Sequence, residues 1–485
     1  MVVMLGRYSR TRSILAASAL ACRRAVYHQQ GPAPADAPTL AFWDRLRAGC
    51  GVLCALMNGA PDERLLMARV TWRIIPFLGL CFLAAFLDRV NVGFAALQMQ
   101  TDLKFSDSVY STGAGIFFLG YFLFEVPSNI LLERVGARLW IARIMIVWGL
   151  ISSSMMFARS PTTFYALRFA LGAAEAGFFP GIILYLTYWY PNAHRSRTVA
   201  LFMMAPALSG VIGAPLSGFL LDHHPANLTG WQWLFLIEGM PSILLGMVVL
   251  LYLPNGPKDV KWLQPSEKEW LSQRLTNERA EREKHHAMTV WQAMVHPRVL
   301  LLSLIYFLIV IGAYGFDLFM PKILAKAFPA VSKSQLGLLA AVPPLMAAFV
   351  MFFWGRRSDR LHERRWHVAW PAWAAAFGLV IGSLGVAPTV ALAAAAIAVT
   401  GRWSCIPPFW GLPTAFLSGT AAAGGIALIN AIGNLGGFVG PKLMGALKDW
   451  TGSYSLGLRV LAGCYVVGGL LALVLKSKAT SAAKR

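Results

Sequence analysis

YALRFALGAAEAGFFPGIILYLTYWYP, residues 165–191, sets an arginine and a glutamate two helical turns apart inside a stretch of apolar and small residues. The enclosing run, Thr163 to Tyr188, exceeds the roughly 20 residues that a helix needs to cross hydrocarbon. A charge at the bilayer centre costs about 2.5–3.5 kcal/mol on insertion scales, so acids and bases found there pair and line a substrate or proton path. Arg168 and Glu175 are such groups. A second set, Asp88 and Arg89, falls inside the apolar run Ile74 to Leu97. One pair alone would serve to lock two helices together; two pairs favour a path.

Working outward, apolar segments of spanning length recur at about 74–97, 109–131, 138–158, 163–188, 198–221 and 231–253, and again at about 299–320, 335–354, 367–387, 389–412, 419–446 and 456–475. The chain therefore reads as an all-α integral membrane protein with about twelve transmembrane helices in two sets of six. Composition agrees: 57% of residues are hydrophobic, 13% are charged, and mean hydropathy is +0.57. Several segments are rich in Gly and Ala rather than in large apolar side chains, which suits helices packed on helices rather than on lipid. The expected division is an extension over 1–66, a six-helix bundle over 67–253, a linker over 254–298 and a second bundle over 299–485.

A net charge of +21 is compatible with nucleic-acid binding, but its distribution argues against that. Arg134 and Arg138, Arg195 and Arg197, and Arg356, Arg357, Arg360, Arg364 and Arg365 fall between alternate pairs of spans, with Lys476, Lys478, Lys484 and Arg485 at the end. This is the positive-inside pattern, and it puts both termini and the 254–298 connection in the cytoplasm. Lys322, Lys326 and Lys333 on the other side weaken the bias without reversing it. The six cysteines lack metal-type spacing and give no disulfide framework.

The polar stretch Pro254 to Pro297 is expected to be a solvated linker, with one amphipathic helix resting on Trp262, Trp270 and Leu271 as the alternative. His285 and His286 within it are read as solvent-exposed rather than metal-binding. The first 66 residues bear arginines and no acid before Asp36, a composition that resembles an organelle transit peptide. The favoured explanation is a start assigned too far upstream, with Met57 or Met67 opening the chain.

Two acid, base and turn signatures recur at equivalent places: NILLERVGAR after the second span, with Glu133, Arg134, Gly136 and Arg138, and GRRSDRLHERR after the eighth, with Gly355, Asp359 and Arg360. An acid at one helix end can hold a neighbouring helix N-terminus in one conformation and release it in another, so these residues are candidates for conformational gating.

With these motifs in view, the chain resembles the anion:cation symporters of the major facilitator superfamily, among them tartrate, phthalate and galactonate permeases. The resemblance covers about Arg69 to Leu475. It rests on AAFLDRVNVGFAA (84–96), GYFLFEVPSNILLERVGARLWIARI (120–144), the 165–191 stretch, WGRRSDRLHERRWH (354–367) and PFWGLPTAFLSGTAAAGGIALINAIGNLGGFVGP (408–441). It implies two pseudo-symmetric bundles and proton-driven import of an organic anion by alternating access across the bacterial inner membrane. A monomer without cofactor is expected.

The resemblance also implies roles, carried over residue by residue. Asp88 and Glu175 would take up the coupled proton, Arg168 would pair with Glu175, and Arg89 would meet the substrate carboxylate. Tyr121, Trp410, Asn430 and Asn434 would frame the anion. Counting residues from the outer surface puts Asp88 at roughly 14 Å and Glu175 at roughly 18 Å, a shared depth, while adjacent Asp88 and Arg89 must diverge by about 100° around their helix. Glu125 is expected to be structural.

Asp317 in the seventh span and Arg402 in the tenth depart from the family pattern; they either tune the substrate or mark a misplaced boundary. The glycine and proline spacing of MAPALSGVIGAPLSG (204–218) partly matches that of drug and proton antiporters, so export by antiport is the alternative function. No nucleophile arrangement, metal cluster or GxxxxGK[ST] loop supports an enzyme or an ATP-driven pump. A non-transporting sensor on the same fold would be expected to add a large cytoplasmic domain.

Overall fold

Helices in this chain start where the sequence supplies caps and stop where glycine breaks them. In the computed structural model, which describes residues 61–475 apart from 204, 226, 285–289, 362, 414–416 and 418, Ser106 caps the second helix by accepting a hydrogen bond from the Val109 amide at 3.2 Å. Ser160 and Thr163 form a reciprocal capping box, with Pro161 opening the helix. Gly136, at φ 96°, ends one helix and begins the next in a single residue, a backbone conformation that L side chains avoid. The extension to residue 60, His285 and His286, and the basic tail from Lys476 lie outside the described residues.

In chain order the helices are α1 (Glu63–Leu103), α2 (Asp107–Val135), α3 (Ala137–Ser154), α4 (Pro161–Glu175), α5 (Phe178–Thr187), α6 (Asn192–Phe202), α7 (Ala205–Asp222), α8 (Gly230–Tyr252), α9 (Pro265–Lys284), α10 (Val290–Met294), α11 (Pro297–Asp317), α12 (Met320–Ala327), α13 (Lys333–Leu361), α14 (Arg365–Gly382), α15 (Pro388–Trp410), α16 (Gly419–Thr451) and α17 (Ser455–Val474). Among the described residues nine spans are long and apolar enough to cross a membrane by composition alone, one of them formed by α4 and α5 together. α7, α14 and α16 bring the spans to twelve. α16 is rich in glycine, alanine and asparagine.

Among the described residues, a small compact unit joins 61–70 with Pro257–Arg274. Within it Arg69 pairs with Glu267, whose second oxygen accepts the Gln264 amide at 3.0 Å. Leu271 is fully buried, so the connection holds a helix rather than an entirely solvated linker.

The large unit spans Thr71–Gly256 and Leu275 onward. Its packing repeats between the halves: α3 on α8 is matched by α14 on α17, and α2 on α4 by α13 on α15. The halves meet through a symmetric exchange, α2 against α16 and α7 against α13. Arg134, Arg138, Arg195, Arg356, Arg357 and Arg360 lie at one end of the helices, called the basic end below.

Glycine lets α2 and α4 approach backbone to backbone. A Cβ on Gly172 would collide with the Phe117 carbonyl oxygen, and one on Gly120 with the Phe169 carbonyl oxygen. Neither obstacle is a flexible side chain. Gly172→Val should therefore destabilise the protein by about 1–3 kcal/mol or more, the usual range for overpacking. Thermal unfolding in detergent checks this against Gly463→Ala, where the added carbon meets nothing within 4 Å.

Candidate functional site

The fourth span is interrupted where its acid sits. Glu175 is the last residue of α4, Gly177 adopts a left-handed conformation at φ 85°, and α5 resumes at Phe178. The break in GAAEAGFFPG thus aims the Glu175 carboxylate across the bundle instead of along its own helix. There it pairs with Arg89 of α1, both side chains being almost wholly buried. The expected pairing of Glu175 with Arg168 is not what the structure shows. Arg168, fully buried, donates from Nε to the Gly113 carbonyl at 3.3 Å and from Nη2 to the Ala114 carbonyl at 3.1 Å, binding α4 to α2. Two turns before the break, its side chain meets the α2 backbone before it can reach the carboxylate.

Asp88 and Arg89 diverge, as helix geometry requires. Asp88 faces α3 and α8 and accepts three hydrogen bonds, from Trp148 Nε1 at 2.9 Å, Ser152 Oγ at 2.7 Å and Ser242 Oγ at 2.7 Å. Arg89 turns the other way. Its guanidinium lies 5.0 Å from the Phe86 ring centroid and 5.3 Å from those of Phe117 and Tyr121, and Nη1 donates to the Tyr314 hydroxyl of α11 at 3.3 Å. One cation therefore touches an acid of its own half and a hydroxyl of the other.

A central cavity of about 780 Å³, open solvent included, brings together Arg89, Tyr121, Trp410, Asn430 and Asn434, the five residues expected to frame a ligand. Its other walls include Tyr306, Tyr314, Arg402 and Trp403. Tyr306 packs on Trp410 with ring centroids 5.1 Å apart. Asn430 commits its Nδ2 to Glu125 Oε1 at 2.8 Å, a link between α16 and α2 that gives buried Glu125 its structural place. The mixture of aromatic faces, a few amides and buried cations is typical of a pocket for a small polar ligand.

Three contributors were not singled out from the sequence. Tyr306 and Tyr314 lie two turns apart in α11, on the face that also carries Val310 and Asp317, so a helical projection of that span would have found them. Glu238, an acid in the middle of the sixth span, is buried, accepts the Ser217 hydroxyl at 2.6 Å and lines an adjoining cavity with Phe86, Tyr314, Asp317 and Arg402. Asp317 and Arg402, the two departures, pair with one another: Arg402 Nη1 lies 2.5 Å from Asp317 Oδ2.

Of the gating candidates, Gly136 forms the one-residue turn, and the Arg138 amide donates to Asn255 Oδ1 at 3.4 Å. The Glu133 side chain lies outside what is described, and Arg134 is exposed. Asp359 pairs with Arg364 at 3.1 Å, Gly355 faces Pro407 and Arg360 lies in the last turn of α13. The acid that holds a helix N-terminus is Glu363, which accepts the Trp366 and His367 amides at the start of α14.

Twelve packed spans in two matched halves around a central polar cavity are the architecture of a membrane transporter. The Major Facilitator Superfamily family profile matches residues 78–482, and the chain belongs to that superfamily. It is 48% identical over 424 residues to a putative tartrate transporter of Agrobacterium vitis, covering 87% of this chain and 97% of that one. It is 40% identical over 417 residues to a quinolone resistance transporter of Acinetobacter baumannii, covering 86% and 96%. In fold it is similar to the inward-open xylose transporter XylE of Escherichia coli, with a TM-score of 0.68 at 15% identity, covering 84% and 97%.

Proposed function

We propose that the protein imports an organic anion, a small carboxylate, together with protons across the bacterial inner membrane by alternating access. The observation that carries this reading is the Arg89–Glu175 pair in the wall of the aromatic cavity. A guanidinium held by an internal carboxylate is a switchable anion site. When Glu175 takes a proton, Arg89 loses its partner and can receive the carboxylate of the substrate in its place. Proton and anion then move together because an unpaired Arg89, or an unpaired substrate anion, is costly to enclose away from water. Asp88, fixed by Trp148, Ser152 and Ser242, is assigned a second proton-accepting role, and Arg168 a supporting one. The Agrobacterium vitis relative, named as a tartrate transporter, supports the carboxylate class.

The reading places both termini and the basic end in the cytoplasm, and assigns gating to the α2–α3 and α13–α14 turns. Residues 67–253 and 299–485 would rock against each other about the 254–298 connection, in a chain that works as a monomer. The opposite end is then the outer face, and it is tied shut: Lys322 pairs with Asp107, the Ser108 amide donates to Asp449 at 2.8 Å, Tyr110 donates to the Leu318 carbonyl at 2.6 Å, and Ser334 donates to Asp222. Joint replacement Asp107→Asn and Lys322→Gln should loosen this closure by about 1 kcal/mol, a population shift of about fivefold. Labelling of a Val399→Cys variant, in the wall of the cavity that adjoins the central one, by an impermeant thiol reagent from the outer face should rise by that factor.

A second reading, proton-driven export of a drug or metabolite, is favoured by the quinolone resistance relative and by the 204–218 glycine spacing. Uptake into liposomes under an inward proton gradient separates the two. Accumulation of a labelled carboxylate that collapses with a proton ionophore supports import. Proton-driven movement of a quinolone in the opposite sense, with no carboxylate carried, overturns it.

A further inference from the structure

The second half repeats the inter-helix ion pair of the first with its charges exchanged, Arg402 lying on α15, the counterpart of α4, and its acid on α11. Arg89 is countered by Glu175 of its own half, and Arg402 by Asp317 of its own half. Both guanidinium groups lie in the wall of one cavity. Two aromatic rings lie between them: Arg89 lies 5.0 Å from the Phe86 centroid, Phe86 is 6.3 Å from Trp403, and Arg402 is 4.3 Å from Trp403. Tyr314, which accepts from Arg89, is three residues from Asp317 on the same helix, so one turn of α11 lies beside both cations.

From this arrangement we propose that Arg402 is a second anion-binding residue and that the substrate is a small dicarboxylate, one carboxylate held by Arg89 and the other by Arg402. The proposal rests on the organic-anion reading above and deepens it. A guanidinium carries five N–H donors in a planar fork, so a single contact from Nη1 to Asp317 leaves donors for an arriving carboxylate. The surroundings separate Arg402 from a merely structural arginine. Arg168 is fully buried and turned onto backbone carbonyls, whereas the Arg402 and Asp317 side chains retain 11% and 14% exposure and both line the adjoining cavity. A buried pair is also weak evidence for stability, because apolar residues of equal volume hold helices together as well or better. A second cation in the wall of the same cavity, with no second anion to bind, would be an expensive way to join α11 to α15. The aromatic rings between them give an apolar surface for the short carbon chain that links the two carboxylates.

The test uses the full-length protein in liposomes under an inward proton gradient, with labelled tartrate as the dicarboxylate probe and labelled gluconate as the monocarboxylate probe. The joint variant Asp317→Asn with Arg402→Gln removes both charges at once, so no unpaired ion is left in the cavity. The ratio of tartrate to gluconate affinity, read from KM, is expected to fall at least tenfold. Arg402→Lys keeps the charge and loses the fork, and a several-fold fall is expected there, which guards against a folding defect in the joint variant. Equal loss of both anions in a variant that elutes as the parent does would make the pair a structural lock and overturn the proposal. So would a parent that carries gluconate and not tartrate, which leaves the organic-anion reading standing. A parent that carries neither removes that reading and the proposal with it.

Discussion

Replacing Arg89 by glutamine should lower anion uptake at least a hundredfold and also destabilise the protein. The substitution removes one member of a buried pair and leaves Glu175 without its counter-ion, a loss of about 3–5 kcal/mol in comparable cases. Since each 1.4 kcal/mol is about a factor of ten in affinity, loss of the anion contact alone accounts for two decades. The two effects are separable. Arg89→Gln together with Glu175→Gln leaves two neutral amides, which should recover most of the thermal stability in detergent while uptake stays lost. Uptake within a few-fold of the parent in either variant would remove Arg89 from the site.

Glu175→Gln alone should abolish concentrative uptake while leaving exchange of labelled for unlabelled anion across the membrane. The neutral amide imitates a permanently protonated acid, so Arg89 stays free for substrate in both inward-facing and outward-facing states. No proton then need accompany the anion, and the gradient loses its hold on the cycle. Counterflow in liposomes measures exchange, and accumulation under an imposed gradient measures coupling. Full accumulation by this variant would sink the assignment of Glu175. The same measurement on Asp88→Asn asks whether the acid bound by Trp148, Ser152 and Ser242 carries a proton or only joins α1 to α3 and α8.

Much of this arrangement was legible in the chain itself. Span limits follow from hydrocarbon thickness and fell within a few residues for most helices; α1, α13 and α16 run on past the apolar run, because a helix does not stop where its hydrophobicity does. The divergence of Asp88 from Arg89 is fixed by 100° per residue, whatever surrounds them. Tyr121, Trp410, Asn430 and Asn434 were indicated by resemblance, and they do meet around one cavity. Pairing was a different matter. Arg168 and Glu175 share a helix face two turns apart, which permits contact along the helix but says nothing of a competing arginine on α1. The glycine break at 177 and the nearness of the α2 backbone decided which arginine Glu175 would hold.

Asp317 and Arg402 make the same point from the other side. In sequence they are two isolated departures, 85 residues apart and without a shared motif. Only the packing of the second half shows that each is the other's counter-ion and that Arg402 faces the cavity of Arg89. What the sequence determined alone is local or averaged: apolar length, the sign and side of the charges, helix starts and breaks, and the need for buried ions to find partners. What the tertiary structure decided is which partner each buried ion found, because that choice depends on distances between helices far apart in the chain, and no periodicity within one helix records them.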